Sequence, residues 1–159
     1  MITLQLGDVS HIIQLAIAPV FLLTGVGTNL TVLTNRLARI IDRSRTIEDL
    51  LQTEHDDTAQ LHLEQKLIEL DELYKRSHLI NRAITLSTAC ALLVCLVIAA
   101  LFFGDATGLG LDKLIAGLFV AGILSLIGSF IYFLREIFVA TKTLTRQRLH
   151  GKKISPIYD

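Results

Sequence analysis

Three apolar runs of about 20 residues, Ile12–Leu33, Ile84–Phe103 and Leu114–Leu134, govern what this chain can become. At about 1.5 Å per residue each run spans roughly 30 Å as a helix, the thickness of a bilayer's hydrocarbon layer. The basic residues are distributed unevenly around them. Of the 15 lysines and arginines, only Lys113 lies outside the segments 36–82 and 135–153. The positive-inside rule places those two segments in the cytoplasm, with the N-terminus and the 104–113 loop facing outward. The expected fold is all-α and polytopic. It is a single membrane domain over residues 1–159, with transmembrane helices at 12–33, 84–103 and 114–134 and a cytoplasmic antiparallel helical hairpin at 35–83. The expected location is a bacterial inner (cytoplasmic) membrane.

The net charge is zero, and acids are mixed with the bases in the cytoplasmic segments. No one-signed surface points to a nucleic-acid partner. Arg36, Arg39, Arg43 and Arg45, just beyond the first run, are placed to touch anionic lipid heads. Met1–Ser10 has no basic leader, so the first run reads as a retained helix rather than a signal peptide. Cys90 and Cys95 fall on different faces of the second run, which suits neither a bridge nor a metal pair.

Asp8 and Ser10 are candidate caps for the first helix. They account for their position beside His11 better than a nucleophile–base arrangement does. Pro19 predicts a kink in the outer half of that helix. Gly25 and Gly27 leave room for a neighbouring helix. No stop signal marks the inner membrane surface. Leu37, Ile40, Ile41, Ser44, Ile47 and Leu51 keep helical spacing, which predicts one helix from about Ser10 to about Gln52. The polar stretch 53–58 breaks the pattern, and residues 56–58 are placed to cap the next helix. Leu63, Leu67, Leu70, Tyr74 and Ser77 form a heptad-like seam expected to pack on the first arm. The second arm is expected to continue into the second span. The 104–113 loop is rich in glycine and reads as a tight connection. The basic, amphipathic stretch after Leu134 extends the third helix or lies on the lipid surface.

The first span carries the most informative polar pattern. Thr24, Thr28, Thr31 and Asn35 fall within about 60° of one another at 100° per residue. The line continues inward through Arg39 and Asp42 and outward through Phe21 and Ile17. Two readings are open. The hydroxyls bond to carbonyls of their own helix or to a neighbouring helix. Alternatively, several copies surround an axis, so that Thr and Asn rings line water and Phe21 or Ile17 forms a dry constriction.

In the second and third spans, Ser87, Ala91, Cys95 and Ala99 recur every four residues, as do Gly117, Ala121, Ser125 and Ser129. Such stripes allow close helix contact, either with each other or between subunits. If they meet each other, the polar face of the first helix needs another partner, and a second copy is the simplest.

Glu54, His55, Asp56, Asp57, His62 and Glu64 match neither a zinc nor a calcium spacing and read as a solvated turn. Arg135 and Glu136 end the third span as interfacial anchors, Arg135 being the one to pair with an acid of the hairpin. No ionisable group is expected deep in the spans, and no HExxH or phosphate loop is present. The expectation is therefore no enzyme, no metal and no cofactor.

The block APVFLLTGVGTNLTVLTNRLARIIDRSR (Ala18 to Arg45), the preceding VSHIIQLAIAP (Val9 to Pro19) and the later FLREIFVATKTL resemble an uncharacterised bacterial integral membrane family, domain of unknown function 2721. The resemblance covers most of the chain. It implies a three-span inner-membrane protein and carries over no activity and no catalytic residue. Together these readings describe a homo-oligomer assembled around the first helix as an ion-conducting pore. The alternative is a non-conducting scaffold or assembly subunit of a larger membrane complex.

Overall fold

The computed structural model describes residues 6–53 and 60–151, with side chains described over 11–52 and 64–141. Three long helices account for nearly all of them. They are α1 (Leu6–Thr53), α2 (Gln60–Thr107) and α3 (Asp112–Gly151). Each expected span lies inside one helix, and each helix outruns its span. All three are long and apolar enough to cross a membrane. A helix of 48 residues, such as α1 or α2, is about 72 Å long, more than twice the hydrocarbon thickness. The excess of α1 and α2 forms a polar hairpin projecting from the apolar part, its turn lying outside the described residues. The tail after Leu134 continues α3 as helix.

Asp8 and Ser10 fall inside α1, which begins at Leu6, and their side chains lie outside those described. A helix end can move by a turn where no breaker fixes it. The helix also runs on through Pro19, which is buried. The proposed cap at 56–58 lies outside the described residues.

α2 lies between the other two helices and packs along both. The buried positions follow a seven-residue rule. On α1 the row is Ile12, Pro19, Val26, Leu33, Ile40 and Ile47, with Ala16 and Asn29 buried beside it. On α3 they are Gly122, Ser129 and Glu136. α2 carries two such rows, Leu73, Ile80, Ser87 and Val94, and Ala83, Cys90, Val97 and Gly104, as a helix with two neighbours must. A strict period of seven is the signature of helices wound about one another with a left-handed twist.

The rows close into two apolar clusters. Leu33, Ile40, Ile47, Leu73, Ile80 and Ala83 form one, with Tyr132 and Phe133 of α3 against it. Val26, Cys90 and Val94 form the other, joined by Leu126. The seam expected on the second arm is met in part, since Leu70 packs against the first cluster and Ser77 is half-buried, while Leu63 lies outside the described side chains. Leu67 and Tyr74 are exposed, and Leu73 and Ile80 are buried. Outward-facing apolar side chains along the spans, Phe21 at 74% exposure among them, are suited to lipid contact.

The α2–α3 connection is shorter than the expected 104–113 loop, because both helices reach into it. α2 ends with Gly108 at φ +66°. Gly108 N–H donates to Asp105 O at 3.3 Å and Leu109 N–H to Gly104 O at 3.1 Å. This pair of bonds is a Schellman cap, and its left-handed residue favours glycine.

Candidate functional site

The face singled out on α1 points away from α2 and α3. Ile17, Phe21, Thr24, Thr28, Thr31, Asn35, Arg39 and Asp42 are all exposed. The buried row is centred roughly opposite, about 180° around the helix. Each threonine hydroxyl bonds back to its own helix. Thr24 donates to Val20 O at 3.2 Å, Thr28 to Thr24 O at 3.1 Å and Thr31 to Gly27 O at 3.1 Å. The space beside Gly25 and Gly27 is open, with nothing within 4 Å of a Cβ built on either. The side chains of Asn35 and Arg39 make no hydrogen bond among the described residues.

The residue of α1 that reaches across the bundle is Asn29, which sequence reasoning missed. It is buried, and its Nδ2 donates to Ser87 Oγ at 2.8 Å. Ser87 Oγ lies 2.8 Å from Ser129 Oγ, and Ser129 donates to Ala83 O at 2.8 Å. Each hydroxyl has one proton, so the donors run in one direction, from Asn29 to Ser87 to Ser129 to the Ala83 carbonyl. The three spans are thereby tied by one polar chain. Asn29 stands among threonines in the sequence, and only helical phase distinguishes it from them.

The stripes of small residues meet at one end only. Ser87 and Ser129 are buried, Ala91 and Ser125 are half-buried, and Ser125 donates to Leu86 O at 2.8 Å. Cys95, Ala99, Gly117 and Ala121 are exposed and take no part in the α2–α3 seam. The reason is geometric. A step of four residues advances 400°, so a stripe drifts about 40° per step, whereas a seam alternates steps of three and four. Gly122 does the packing instead. A Cβ there would sit 3.6 Å from Leu93 Cβ and 3.7 Å from Val94 Cγ2. Both cysteines are free, Cys90 buried and Cys95 exposed.

The second correction concerns charge. Glu136, expected at the membrane surface, is fully buried. Its Oε2 accepts from Arg36 Nη1 at 2.7 Å. Its Oε1 accepts from Arg76 Nε at 3.0 Å and Nη2 at 2.8 Å. Arg135, the expected partner for the hairpin, is exposed. One residue step turns the helix 100°, which is enough to exchange the two roles. A buried carboxylate needs partners of opposite charge, and two guanidiniums supply them. Arg36 also lies over the Phe133 ring at 5.1 Å, which fixes its plane.

Beside this node is an open cavity of about 320 Å³ lined by Arg36, Arg39, Arg43 and Arg76. Ile40, Leu73 and Ala140 supply its apolar wall. Arg43 binds Glu69 Oε1 through Nε at 2.9 Å and Nη2 at 2.8 Å. Farther along the hairpin, Tyr74 donates to Glu48 at 2.8 Å, and that carboxylate holds the phenol's proton above the usual range. Of the six candidate turn ligands, Glu64 alone has a described side chain, and it is exposed.

Three apolar helices are thus joined by an Asn–Ser–Ser chain and a buried Arg–Glu–Arg node. The model of the family described as "Protein of unknown function (DUF2721)" matches residues 16–146. The chain belongs to this family. The matched region contains the second and third spans, the first from residue 16 onward, the polar hairpin and every residue of the two polar contacts between helices. No curated protein and no solved structure matches the chain.

Proposed function

We propose that the protein is a homo-oligomeric, non-enzymatic membrane protein whose copies meet along the outward face of α1, and that the assembly encloses an ion-conducting path. The observation that carries this reading is the orientation of that face. Thr24, Thr28, Thr31 and Asn35 point away from the chain's own helices, beside two glycines with open space. Small and hydroxyl-bearing residues permit close approach of helices in lipid. Asn35 has no hydrogen-bond partner among the described residues, and a copy or water would supply one. Phe21 or Ile17 would form the constriction, and Arg39 and Asp42 the mouth beside the hairpin. In this reading the hairpin and the end of α3 are cytoplasmic and the N-terminus is outside, as the positive-inside rule requires. The membrane is then the cytoplasmic membrane.

The threonine back-bonds favour a second reading. Hydroxyls already bonded to their own carbonyls need no water, so the same face serves a non-conducting scaffold or assembly subunit equally well.

Cross-linking and conductance separate the two. In a Cys95→Ser background, Thr28→Cys and Thr31→Cys are expected to form dimers in native membranes, and Val94→Cys, facing the bundle interior, is not. Absence of self-cross-links at Thr28 and Thr31 sinks the homo-oligomer. Cross-links together with silent planar bilayers over a range of salts and voltages leave the scaffold.

A further inference from the structure

We propose that the arginine-lined cavity is a binding site for a phosphate group, with the headgroup of an anionic phospholipid as the preferred source. The proposed site draws on residues of one chain and shares Arg39 with the outward face of α1. The assignment rests on charge, preorganisation and depth.

Four guanidiniums line the cavity, and two carboxylates, Glu136 and Glu69, engage three of them. Arg39 has no ion-pair partner among the described residues. The site therefore holds more positive than negative charge. Neither carboxylate lines the cavity, and Glu136 is fully buried.

Glu136 spends its oxygens on fixing Arg36 and Arg76, and each arginine keeps donors to spare. Arg36 uses one nitrogen on the carboxylate and Arg76 uses two, whereas a guanidinium carries five N–H groups. Their side chains are 38% and 25% exposed, so the unused donors are accessible. Planar, fixed guanidiniums are the preferred partners of tetrahedral oxyanions. The cavity volume of about 320 Å³ exceeds what a phosphate group occupies. Ile40, Leu73 and Ala140 offer an apolar wall to whatever the phosphate is attached to.

Depth selects the lipid. Arg36 and Arg39 follow the apolar run ending at Leu33 by three and six residues, about 5–9 Å along the helix axis. Arg76 precedes the run beginning at Ile84. The end of the cavity nearest the apolar runs, at Arg36 and Arg39, therefore falls at the headgroup level of the leaflet on the hairpin's side, and Arg43 and Arg76 extend it away from the membrane. Tyr132 and Phe133 sit near the same level, each with an arginine over its ring, as aromatic side chains do at an interface. Arg45, on the same helix, does not line the cavity.

The test uses the full chain purified in detergent, delipidated and then supplied separately with phosphatidylglycerol, phosphatidylcholine or inorganic phosphate. Retention is read by native mass spectrometry and by the shift in melting temperature. Arg39→Gln is the variant of choice, because Arg39 makes no ion pair or hydrogen bond among the described residues. The wild type is expected to retain phosphatidylglycerol over phosphatidylcholine. Arg39→Gln is expected to weaken that retention by roughly tenfold, the usual effect of losing one charge-assisted bond. A phosphate response without a lipid response, still sensitive to Arg39→Gln, supports the site and assigns it to a soluble phosphate. Equal retention of the two lipids, or retention unchanged by Arg39→Gln, overturns the proposal.

Discussion

Arg36 and Glu136 stand 100 residues apart in the chain and 2.7 Å apart in the fold. Their contact joins the first helix to the third, and Arg76 brings the second helix onto the same carboxylate. The three helices thus share one buried charge where the apolar bundle meets the polar hairpin. Removing the charge leaves two guanidiniums facing each other without a counter-ion. Glu136→Gln is expected to lower stability by about 3 kcal/mol, the order found when one member of a buried ion pair is deleted. Equilibrium unfolding in mixed micelles measures this. A loss as small as that from Arg135→Gln would show that the node contributes nothing.

The chain from Asn29 through Ser87 to Ser129 makes a smaller contribution. Hydrogen bonds between helices in lipid contribute roughly 0.6–2 kcal/mol each. Asn29→Ala is expected to cost an amount in that range, and Thr28→Ala close to nothing, since Thr28 bonds only to its own helix. A double-mutant cycle with Ser87→Ala isolates the coupling, and additive losses would contradict a shared network.

The turn between α2 and α3 gives a backbone test. Gly108 holds a positive φ, where a Cβ is strained. Nothing lies within 4 Å to obstruct the added methyl, so any loss comes from conformation alone. Gly108→Ala is expected to cost about 1 kcal/mol. By contrast, Gly122→Ala places its Cβ at ordinary contact distance from Leu93 and is expected to be tolerated, whereas Gly122→Leu separates the seam. Thermal unfolding of the three variants ranks them.

Tyr74 links the hairpin arms and titrates in a predictable direction. Its hydrogen bond to Glu48, together with that carboxylate's charge, raises the phenol's pKa. The folded value lies above the unfolded one. The contact's contribution is therefore complete below about pH 10, the ordinary phenol value, and is lost as pH rises through the raised value. Ultraviolet difference titration of the wild type against Tyr74→Phe isolates this residue. Glu48→Gln is expected to bring its midpoint back down, and an unmoved midpoint would remove Glu48 as the cause.

Long-range architecture was legible because it depends on quantities the sequence displays. Run length gives the spans, and the missing stop signal after Leu33 gives a helix that leaves the apolar region unbroken. Sidedness was harder to read. In water, apolar residues mark the inner face of a helix. In lipid, an outward leucine and an inward one are equally comfortable, so the apolar pattern of a span does not say which side packs. Thr28 and Asn29 are neighbours of similar polarity, yet one faces outward and the other reaches Ser87 and, through it, the third helix. Arg135 and Glu136 exchanged roles for the same reason. The four-residue stripe in α2 was a fair sign of close packing near Ser87 and a poor one near Cys95, where the drift had carried it off the seam.

The sequence by itself determined three membrane-length helices, a polar hairpin built from extensions of the first two, and a polar line along one face of the first. Each of these follows from spacing and composition along one helix. Only the tertiary structure decided that α2 sits between its neighbours, that Asn29 and Glu136 are the inward polar residues, and that four arginines line one cavity. These depend on the relative rotation of separate helices. That rotation is set by the fit of side chains at every seventh position, a property of pairs of helices that no single segment contains.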